Sequence, residues 1–250
     1  MKSTVVFIHG LFGSEKDWQP VIQGMTREGA TDILALTLPG HGPRPQTLKD
    51  YSIESLAQWT LARVNEMGAC HFVGYSLGGR ILLQLFAEHP DIFKSLILIS
   101  TSPGLEKKAQ SEARLVQDQN WCEQLAQLKP QEFFSRWYGQ ELFSSLANQP
   151  DLLASMIRER AAHENPCFEA VLRDSSPAQN KSMWPLIKNI SQALWIVGSE
   201  DVKYKVMAQT VVAENPRIEI KCVEKAGHAV HLEKPHELIK ILKNYLRDSS

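Results

Sequence analysis

Apolar and polar residues follow two alternating patterns along the chain. Short apolar runs rich in β-branched residues, each followed by Gly, Ser or another turn-forming residue, predict buried strands. Between these runs, apolar residues recur at helical spacing, and we expect helices over 53–67 and from Leu77 to His89, just before Pro90. The expected strands cover residues 4–8, 33–36, 71–73, 96–99, 193–197 and 218–223.

This alternation of strand and helix predicts an α/β fold with a mostly parallel central sheet flanked by helices. The alternation stops between residues 102 and 191, where about 90 residues contain helix-like, Gln/Glu-rich and aromatic segments without a convincing strand. That length exceeds a plain crossover and predicts a helical cap or lid inserted into one domain spanning 1–250. Within it, residues 106–119 are charged and poor in apolar side chains, which is typical of a solvated helix face.

Composition narrows the function classes further. The 250 residues are 43% hydrophobic, with 27 Lys and Arg against 28 Asp and Glu. That balance gives no bulk electrostatic reason to expect a nucleic-acid or anionic-membrane partner. A small-molecule substrate and a monomer or small homo-oligomer are expected.

The cysteines and the N-terminal residues indicate the compartment. The four cysteines are widely spaced and form no metal-ligand pattern, so we expect reduced thiols, no metal and no cofactor. Only four apolar residues, Val5 to Ile8, precede His9, too few for a signal peptide, and no apolar stretch approaches the ~20 residues of a spanning helix. A cytoplasmic protein is expected. The cysteines are Cys70, Cys122, Cys167 and Cys222.

One motif lies at a strand-to-helix junction. Residues 74–78 read Gly-Tyr-Ser-Leu-Gly, a G-x-S-x-G pattern between the strand at 71–73 and the helix at Leu77. In such an elbow the sharp turn exposes the serine hydroxyl, here that of Ser76, at the carboxyl end of the sheet. Since a serine hydroxyl is a poor nucleophile or base at neutral pH, it needs a histidine oriented by a carboxylate.

The acid and the base are expected later in the chain, each just after a strand. Asp201 follows the strand at 193–197 and is the expected acid, with Glu200 a weaker candidate. His228 follows the strand at 218–223 and is the expected base. Each feature alone is common in ordinary loops, but their order and their shared position after strands predict a Ser-His-Asp triad.

The loop after the first strand completes this arrangement. His9-Gly10-Leu11-Phe12-Gly13 resembles an HGxxG loop, so the backbone amides of Leu11 and Leu77 are expected to form an oxyanion hole. His9 is expected to support that loop. Lys203 and Tyr204, beside Asp201, are not expected to touch a ligand. The histidines expected to be structural are His41, His71, His89, His163, His231 and His236.

Taken together, the motifs resemble the α/β-hydrolase superfamily over essentially the whole chain, including Leu-Pro-Gly-His-Gly at 38–42. More specifically, Gly-Tyr-Ser-Leu-Gly-Gly-Arg at 74–80 resembles the elbow of the 2-succinyl-6-hydroxy-2,4-cyclohexadiene-1-carboxylate synthases of menaquinone (vitamin K2) biosynthesis. The cap also resembles theirs at 112–114, 120–121 and 134–138. That family more often carries Met where this chain has Leu77, a change that leaves the backbone amide in place.

The resemblance implies a lyase that expels pyruvate from 2-succinyl-5-enolpyruvyl-6-hydroxy-3-cyclohexene-1-carboxylate, which carries three carboxylates. Ser76 would relay a ring proton to His228, and no acyl-enzyme would form. By the same resemblance, Arg80, Arg114 and Arg160 would bind carboxylates, while Tyr75 and Trp137 would line the pocket.

Two alternatives remain open at this stage, because a fold does not fix a reaction. The triad alone equally serves a cofactor-free serine hydrolase that cleaves an ester or a carbon-carbon bond. A non-catalytic ligand receptor on the same fold is a third reading, which a complete triad argues against.

Overall fold

The computed structural model describes residues 4–26, 32–163 and 165–248. These residues form a six-stranded sheet in the order β2-β1-β3-β4-β5-β6, and every pairing among them is parallel. The α/β class is therefore confirmed. The strands are β1 (Thr4–Ile8), β2 (Asp32–Leu36), β3 (Cys70–Tyr75), β4 (Phe93–Ile99), β5 (Ala193–Gly198) and β6 (Ile218–Val223).

Helices cover both faces of the sheet, so strand residues alternate between two apolar clusters. Val6 and Ile8 pack on one side with the helices at Ile53–Val64 and Leu77–Glu88, while Val5 and Phe7 pack on the other with those at Gln19–Thr26 and Pro235–Asp248. The inner strands β1, β3, β4 and β5 are largely buried on both faces, which explains why they are nearly continuous apolar runs in the sequence. The helices on these faces are α1 (Gln19–Thr26), α2 (Ile53–Val64), α3 (Leu77–Glu88), α9 (Val202–Glu214), α10 (Val230–Glu233) and α11 (Pro235–Asp248).

The described part of 102–191, hereafter the cap segment, contains helices and no strand. Its aromatic side chains surround Phe12 from the loop after β1, whose ring centroid lies 5.0 Å from those of Trp137 and Phe168. The cap segment is thus anchored on the same loop that was expected to supply an oxyanion amide. Its helices are α4 (Lys108–Gln127), α5 (Pro130–Tyr138), α6 (Pro150–Ala161), α7 (Phe168–Asp174) and α8 (Trp184–Ile187), with a 3-10 segment at Glu141–Asn148.

Element boundaries differ modestly from the sequence-based expectation. Strand β4 begins at Phe93 because that residue pairs with Cys70 of β3, whereas the apolar run alone begins at Leu96. Helix α2 ends at Val64 rather than at residue 67, and the turn that follows contains Gly68 with φ +70°. Positive φ is easily adopted only by glycine, so Gly68 allows the chain to turn between the end of the helix and β3.

Two further observations bear on the earlier expectations. No helix in the described ranges is long and apolar enough to cross a membrane. All four cysteines are free thiols, three of them buried and Cys222 exposed.

Candidate active site

Ser76 occupies the turn between β3 and α3 in a strained backbone conformation, with φ +51° and ψ −107°. Non-glycine residues rarely adopt positive φ, and such strain is characteristic of functional turns. The turn is held by the Ser76 amide, which donates to the Ile99 carbonyl at 2.9 Å. Gly74 and Gly78 make it possible, because a Cβ at Gly74 would lie 2.7 Å from Gly78 backbone atoms and one at Gly78 would overlap the carbonyl of Ile8.

The Ser76, His228 and Asp201 side chains form a continuous hydrogen-bonded chain. His228 Nδ1 lies 2.7 Å from Asp201 Oδ2, and His228 Nε2 lies 3.3 Å from Ser76 Oγ. Because a carboxylate only accepts hydrogen bonds, the imidazole proton belongs on Nδ1, which leaves Nε2 free to accept the Ser76 hydroxyl proton. Glu200, the weaker acid candidate, is exposed, and it is Asp201 that contacts the imidazole.

The loops that carry the acid and the base are joined by backbone hydrogen bonds. The Ser199 amide donates to the Val223 carbonyl, and the Glu200 amide donates to the Ala226 carbonyl, both at 2.9 Å. Asp201 also accepts the Tyr204 amide at 3.2 Å as the N-cap of α9. The carboxylate therefore stabilises the helix start and orients His228 at the same time.

Three aromatic rings surround the His228 imidazole. The centroids of Tyr204, Tyr75 and Phe143 lie 4.6, 5.3 and 5.7 Å from that of His228. Burial raises the pKa of both the Tyr75 and the Tyr204 hydroxyl, so both remain protonated at neutral pH. Phe143 comes from the cap segment, which therefore helps to exclude water from the base.

Leu11, from the loop after β1, and Leu77 line the same cavity. Leu77 is the first residue of α3, so its amide has no acceptor within the helix. His9 supports this loop: its Nε2 accepts the Leu38 amide at 3.0 Å, and its protonated Nδ1 donates to the Gly10 carbonyl at 2.7 Å. Burial lowers the pKa of His9 to about 4, which keeps the ring neutral.

A cavity of about 710 Å³ lies between the sheet edge and the cap segment. Ser76, Asp201 and His228 line it, and so do Leu11 and Leu77. The residues expected to bind substrate line the same cavity: Tyr75, Arg80, Arg114, Trp137 and Arg160.

Arg80 and Arg114 are positioned by neighbouring residues of the cap segment. Arg80 Nη1 donates to the Ser175 carbonyl at 2.8 Å, and Arg114 Nε lies 2.8 and 2.9 Å from the two Asp118 carboxylate oxygens. Ser176 Oγ donates to Asp118 at 2.5 Å. Burial lowers the pKa of Arg80 to about 10, and the positive charge of Arg114 contributes to that shift. The two guanidinium groups thus repel each other in a partly closed space.

Several cavity residues carry no sequence signal that would have marked them. Asp17 and Asp118 pair with arginines of the site, and Phe143 contacts the base, yet none of them belongs to a motif. Lys203 and Tyr204, which were not expected to touch a ligand, both line the cavity. Helix α4 was expected to have a solvated face, and most of it is exposed, but Arg114 and Asp118 turn one face toward the cavity.

His231 differs from the other histidines expected to be structural because it also lines the cavity. Its ring packs between Trp18 and Tyr75 at centroid distances of 4.6 and 4.3 Å, and neither ring nitrogen has a hydrogen-bond partner. In the described ranges, no group of three or more His, Cys, Asp or Glu residues could hold a metal ion.

Comparison with known proteins yields one family and several relatives. The model of the Alpha/beta hydrolase family matches residues 5–241. A Haemophilus influenzae protein named putative 2-succinyl-6-hydroxy-2,4-cyclohexadiene-1-carboxylate synthase is 30% identical, over 96% of each chain. The Arabidopsis thaliana chloroplastic protein PHYLLO is 28% identical over 98% of this chain, which spans only 15% of that protein. Among solved structures, MenH from S. aureus superposes with a TM-score of 0.91 at 24% identity, covering 99% of this chain and 94% of that one.

Proposed function

The chain belongs to the alpha/beta hydrolase family, and on that premise we propose that it is a 2-succinyl-6-hydroxy-2,4-cyclohexadiene-1-carboxylate synthase. It is an enzyme of the lyase type in menaquinone biosynthesis, and it eliminates pyruvate from 2-succinyl-5-enolpyruvyl-6-hydroxy-3-cyclohexene-1-carboxylate. The observation that carries the proposal is the pair Arg80 and Arg114, which lines the same cavity as Ser76.

The charges near this pair favour a substrate with several carboxylates. Arg80, Arg114 and Lys203 lie in one region of the cavity. Burial lowers the pKa of Arg80 and of Lys203, and the positive charge of Arg114 lowers both further. Asp118 offsets part of this charge through Arg114. Guanidinium groups bind carboxylates in bidentate fashion, and an anion placed between them would relieve their repulsion. A neutral ester carries no negative charge and would not relieve the repulsion between the guanidinium groups.

The reaction follows from the positions of the substrate double bond and leaving group. Removal of the C2 proton sends its electron pair into the succinyl carbonyl as an enolate. The electron pair of the enolate then returns to the ring and forms a double bond between C2 and C3. The ring double bond moves from C3=C4 to C4=C5, and the bond between C5 and the enolpyruvyl oxygen breaks. The released enolpyruvate takes up a proton to become pyruvate, so atoms and electrons balance without water or a cofactor.

The roles of the triad follow from its geometry. His228 Nε2 accepts the Ser76 hydroxyl proton, and Ser76 Oγ accepts the C2 proton, so serine acts as a base relay. Asp201 stabilises the imidazolium through Nδ1. The amides of Leu11 and Leu77 receive the enolate oxygen, and one such hydrogen bond lowers a barrier by about 3 kcal/mol. No acyl-enzyme forms.

Other cavity residues and the cap segment contribute to the same function. Arg160 and Trp137 contact the substrate from the cap segment, and Tyr75 contacts it from the end of β3. The cap segment at 102–191 acts as a lid on a single domain spanning 1–250. The enzyme works in the cytoplasm without a cofactor or metal, as a monomer or small homo-oligomer, and binds neither nucleic acid nor membrane.

The test measures pyruvate release from the enolpyruvyl substrate by wild type, Ser76→Ala and Arg80→Ala. Arg136→Ala is the matched control, because Arg136 lies on α5 with 53% of its side chain exposed and pairs with Glu132. Fast release that collapses in the first two variants and persists in the control supports the proposal. Absence of release, with hydrolysis of short esters still dependent on Ser76, would assign a serine hydrolase instead. A stable acyl adduct on Ser76 formed from the natural substrate would exclude the base-relay mechanism.

A further inference from the structure

One carboxylate binds the backbone on both sides of His228. Glu233 Oε2 accepts the Gly227 amide at 2.8 Å, and Glu233 Oε1 accepts the Ala229 amide at 3.0 Å. The Glu233 residue is only 5% exposed, and its carboxylate makes two charge-assisted hydrogen bonds in a region of low dielectric. The two bonded amides flank the residue that carries the imidazole.

Short-range hydrogen bonds close the rest of this loop. The Leu232 and Glu233 amides both donate to the Ala229 carbonyl at 2.9 Å, which forms the single turn of α10 and turns Glu233 back toward Gly227. Ser145 of the cap segment packs directly against Gly227, where a Cβ would overlap its side chain. The loop is therefore fixed from within by Glu233 and from outside by the cap segment.

The position of His228 is demanding, because its two ring nitrogens must meet Asp201 and Ser76 at the same time. The residue before it is a glycine, whose backbone has the greatest conformational freedom of any residue. Without a constraint on the Gly227 and Ala229 amides, rotation at Gly227 would move the imidazole away from Ser76. A misplacement of about 1 Å can reduce a rate about a hundredfold.

We propose that Glu233 is a positioning residue for the catalytic base: its carboxylate holds the amides of Gly227 and Ala229 and thereby fixes the His228 imidazole between Asp201 and Ser76. This inference rests on the role of His228 as the base and does not depend on which substrate the cavity receives. Glu233 itself touches no reacting atom.

The informative variant is Glu233→Gln, which keeps the size of the side chain. Its amide oxygen can still accept one backbone N–H, but its NH2 group opposes the other, so one of the two bonds is lost. We expect kcat to fall about tenfold to a hundredfold while KM changes less than about twofold, because substrate contacts are intact. The control is Glu237→Gln on α11, whose exposed carboxylate pairs with Lys240 and should leave both constants unchanged.

A spectroscopic measurement separates positioning from general stability. The His228 Nδ1 proton is observed by proton NMR in wild type and in Glu233→Gln, alongside thermal unfolding of both. A folded variant with lower kcat and a broadened or shifted His228 signal supports the proposal. A folded variant with wild-type kcat and an unchanged signal overturns it, as does a loss of activity that merely follows the unfolded fraction. If the Gln variant does not fold, Glu233→Asp, which is too short to reach both amides, is judged by the same criteria.

His228→Ala distinguishes failure of this inference from failure of the proposed function. If His228→Ala abolishes pyruvate release and Glu233→Gln does not affect it, only the positioning role is wrong. If wild type releases no pyruvate but hydrolyses a short ester in a His228-dependent manner, the lyase assignment is wrong, and ester turnover then tests Glu233. If His228→Ala retains full turnover of either substrate, the base assignment fails and the positioning role fails with it.

Discussion

Asp17 and Arg160 lie 143 positions apart in the chain and form a buried ion pair, with Asp17 Oδ1 2.6 Å from Arg160 Nη2. Asp17 comes from a 3-10 helix at Glu15–Trp18 that follows β1, and Arg160 comes from helix α6 of the cap segment. Both side chains are almost fully buried and both line the cavity. The pair therefore links the cap segment to the sheet at the wall of the site.

Removing one partner of this pair should be costly. Asp17→Asn leaves the Arg160 guanidinium without its buried counter-charge, and we expect a loss of about 3–5 kcal/mol in the free energy of unfolding. Urea denaturation at pH 7 measures it. The control is Glu159→Gln, because Glu159 also contacts Arg160, at 3.4 Å, but has half of its side chain exposed. This variant should lose less than about 1 kcal/mol in the free energy of unfolding. Equal losses in the two variants would contradict this view of the pair.

Arg114 should contribute to the binding of the polycarboxylate substrate and little to general turnover. We expect Arg114→Met to raise KM for the enolpyruvyl substrate at least tenfold, because a charge-assisted contact contributes about 1.5–3 kcal/mol. Hydrolysis of a small neutral ester, where detectable, should change little. Steady-state kinetics on both substrates tests this, and a KM unchanged from wild type would show that Arg114 only forms its ion pair with Asp118.

Two glycines should respond differently to alanine. Gly78→Ala places a methyl group into the backbone carbonyls of Ile8 and His9, so either the elbow or β1 must move. Gly68→Ala meets no atom within 4 Å and suffers only from its φ of +70°, at a cost of about 1 kcal/mol. We expect thermal unfolding to show a much larger loss for Gly78→Ala, together with loss of activity. Similar losses at both positions would mean that the elbow tolerates a side chain.

Acid should destabilise the fold through its buried histidines. Burial lowers the pKa of His231 and of His41 to about 3, whereas the unfolded chain binds their protons near 6.5. Between these values the unfolded state binds more protons, so the free energy of unfolding falls as pH decreases from about 6.5 toward 3 and is restored above 6.5.

His231→Phe tests this linkage, because it removes one titrating group that has no hydrogen bond to lose. We expect a shallower decline in stability between pH 6.5 and 4 than in wild type, measured by urea denaturation at several pH values. His236→Phe, at an exposed histidine, should leave the slope unchanged. A slope for His231→Phe identical to wild type would mean that His231 does not titrate on unfolding.

The sequence by itself determined the class of fold and the order of the triad. Buried parallel strands must be apolar throughout, and residues that follow their carboxyl ends meet at one edge, so Ser76, Asp201 and His228 could be grouped from their order and their position after strands. The G-x-S-x-G motif is local, because the glycines it needs flank Ser76 within the same turn.

Only the tertiary structure decided which side chains complete the cavity. Asp17 pairs with Arg160, Phe143 contacts His228 and Asp118 accepts from Ser176, all far apart in the chain, and a charge or ring on a helix gives no sign of which distant partner it will meet. The role of Glu233 is hidden for a different reason: its carboxylate binds backbone amides, and backbone groups carry no sequence signature. A sequence motif reflects the requirements of a local turn, whereas pairs of residues that are far apart in the chain can be identified only in the folded structure.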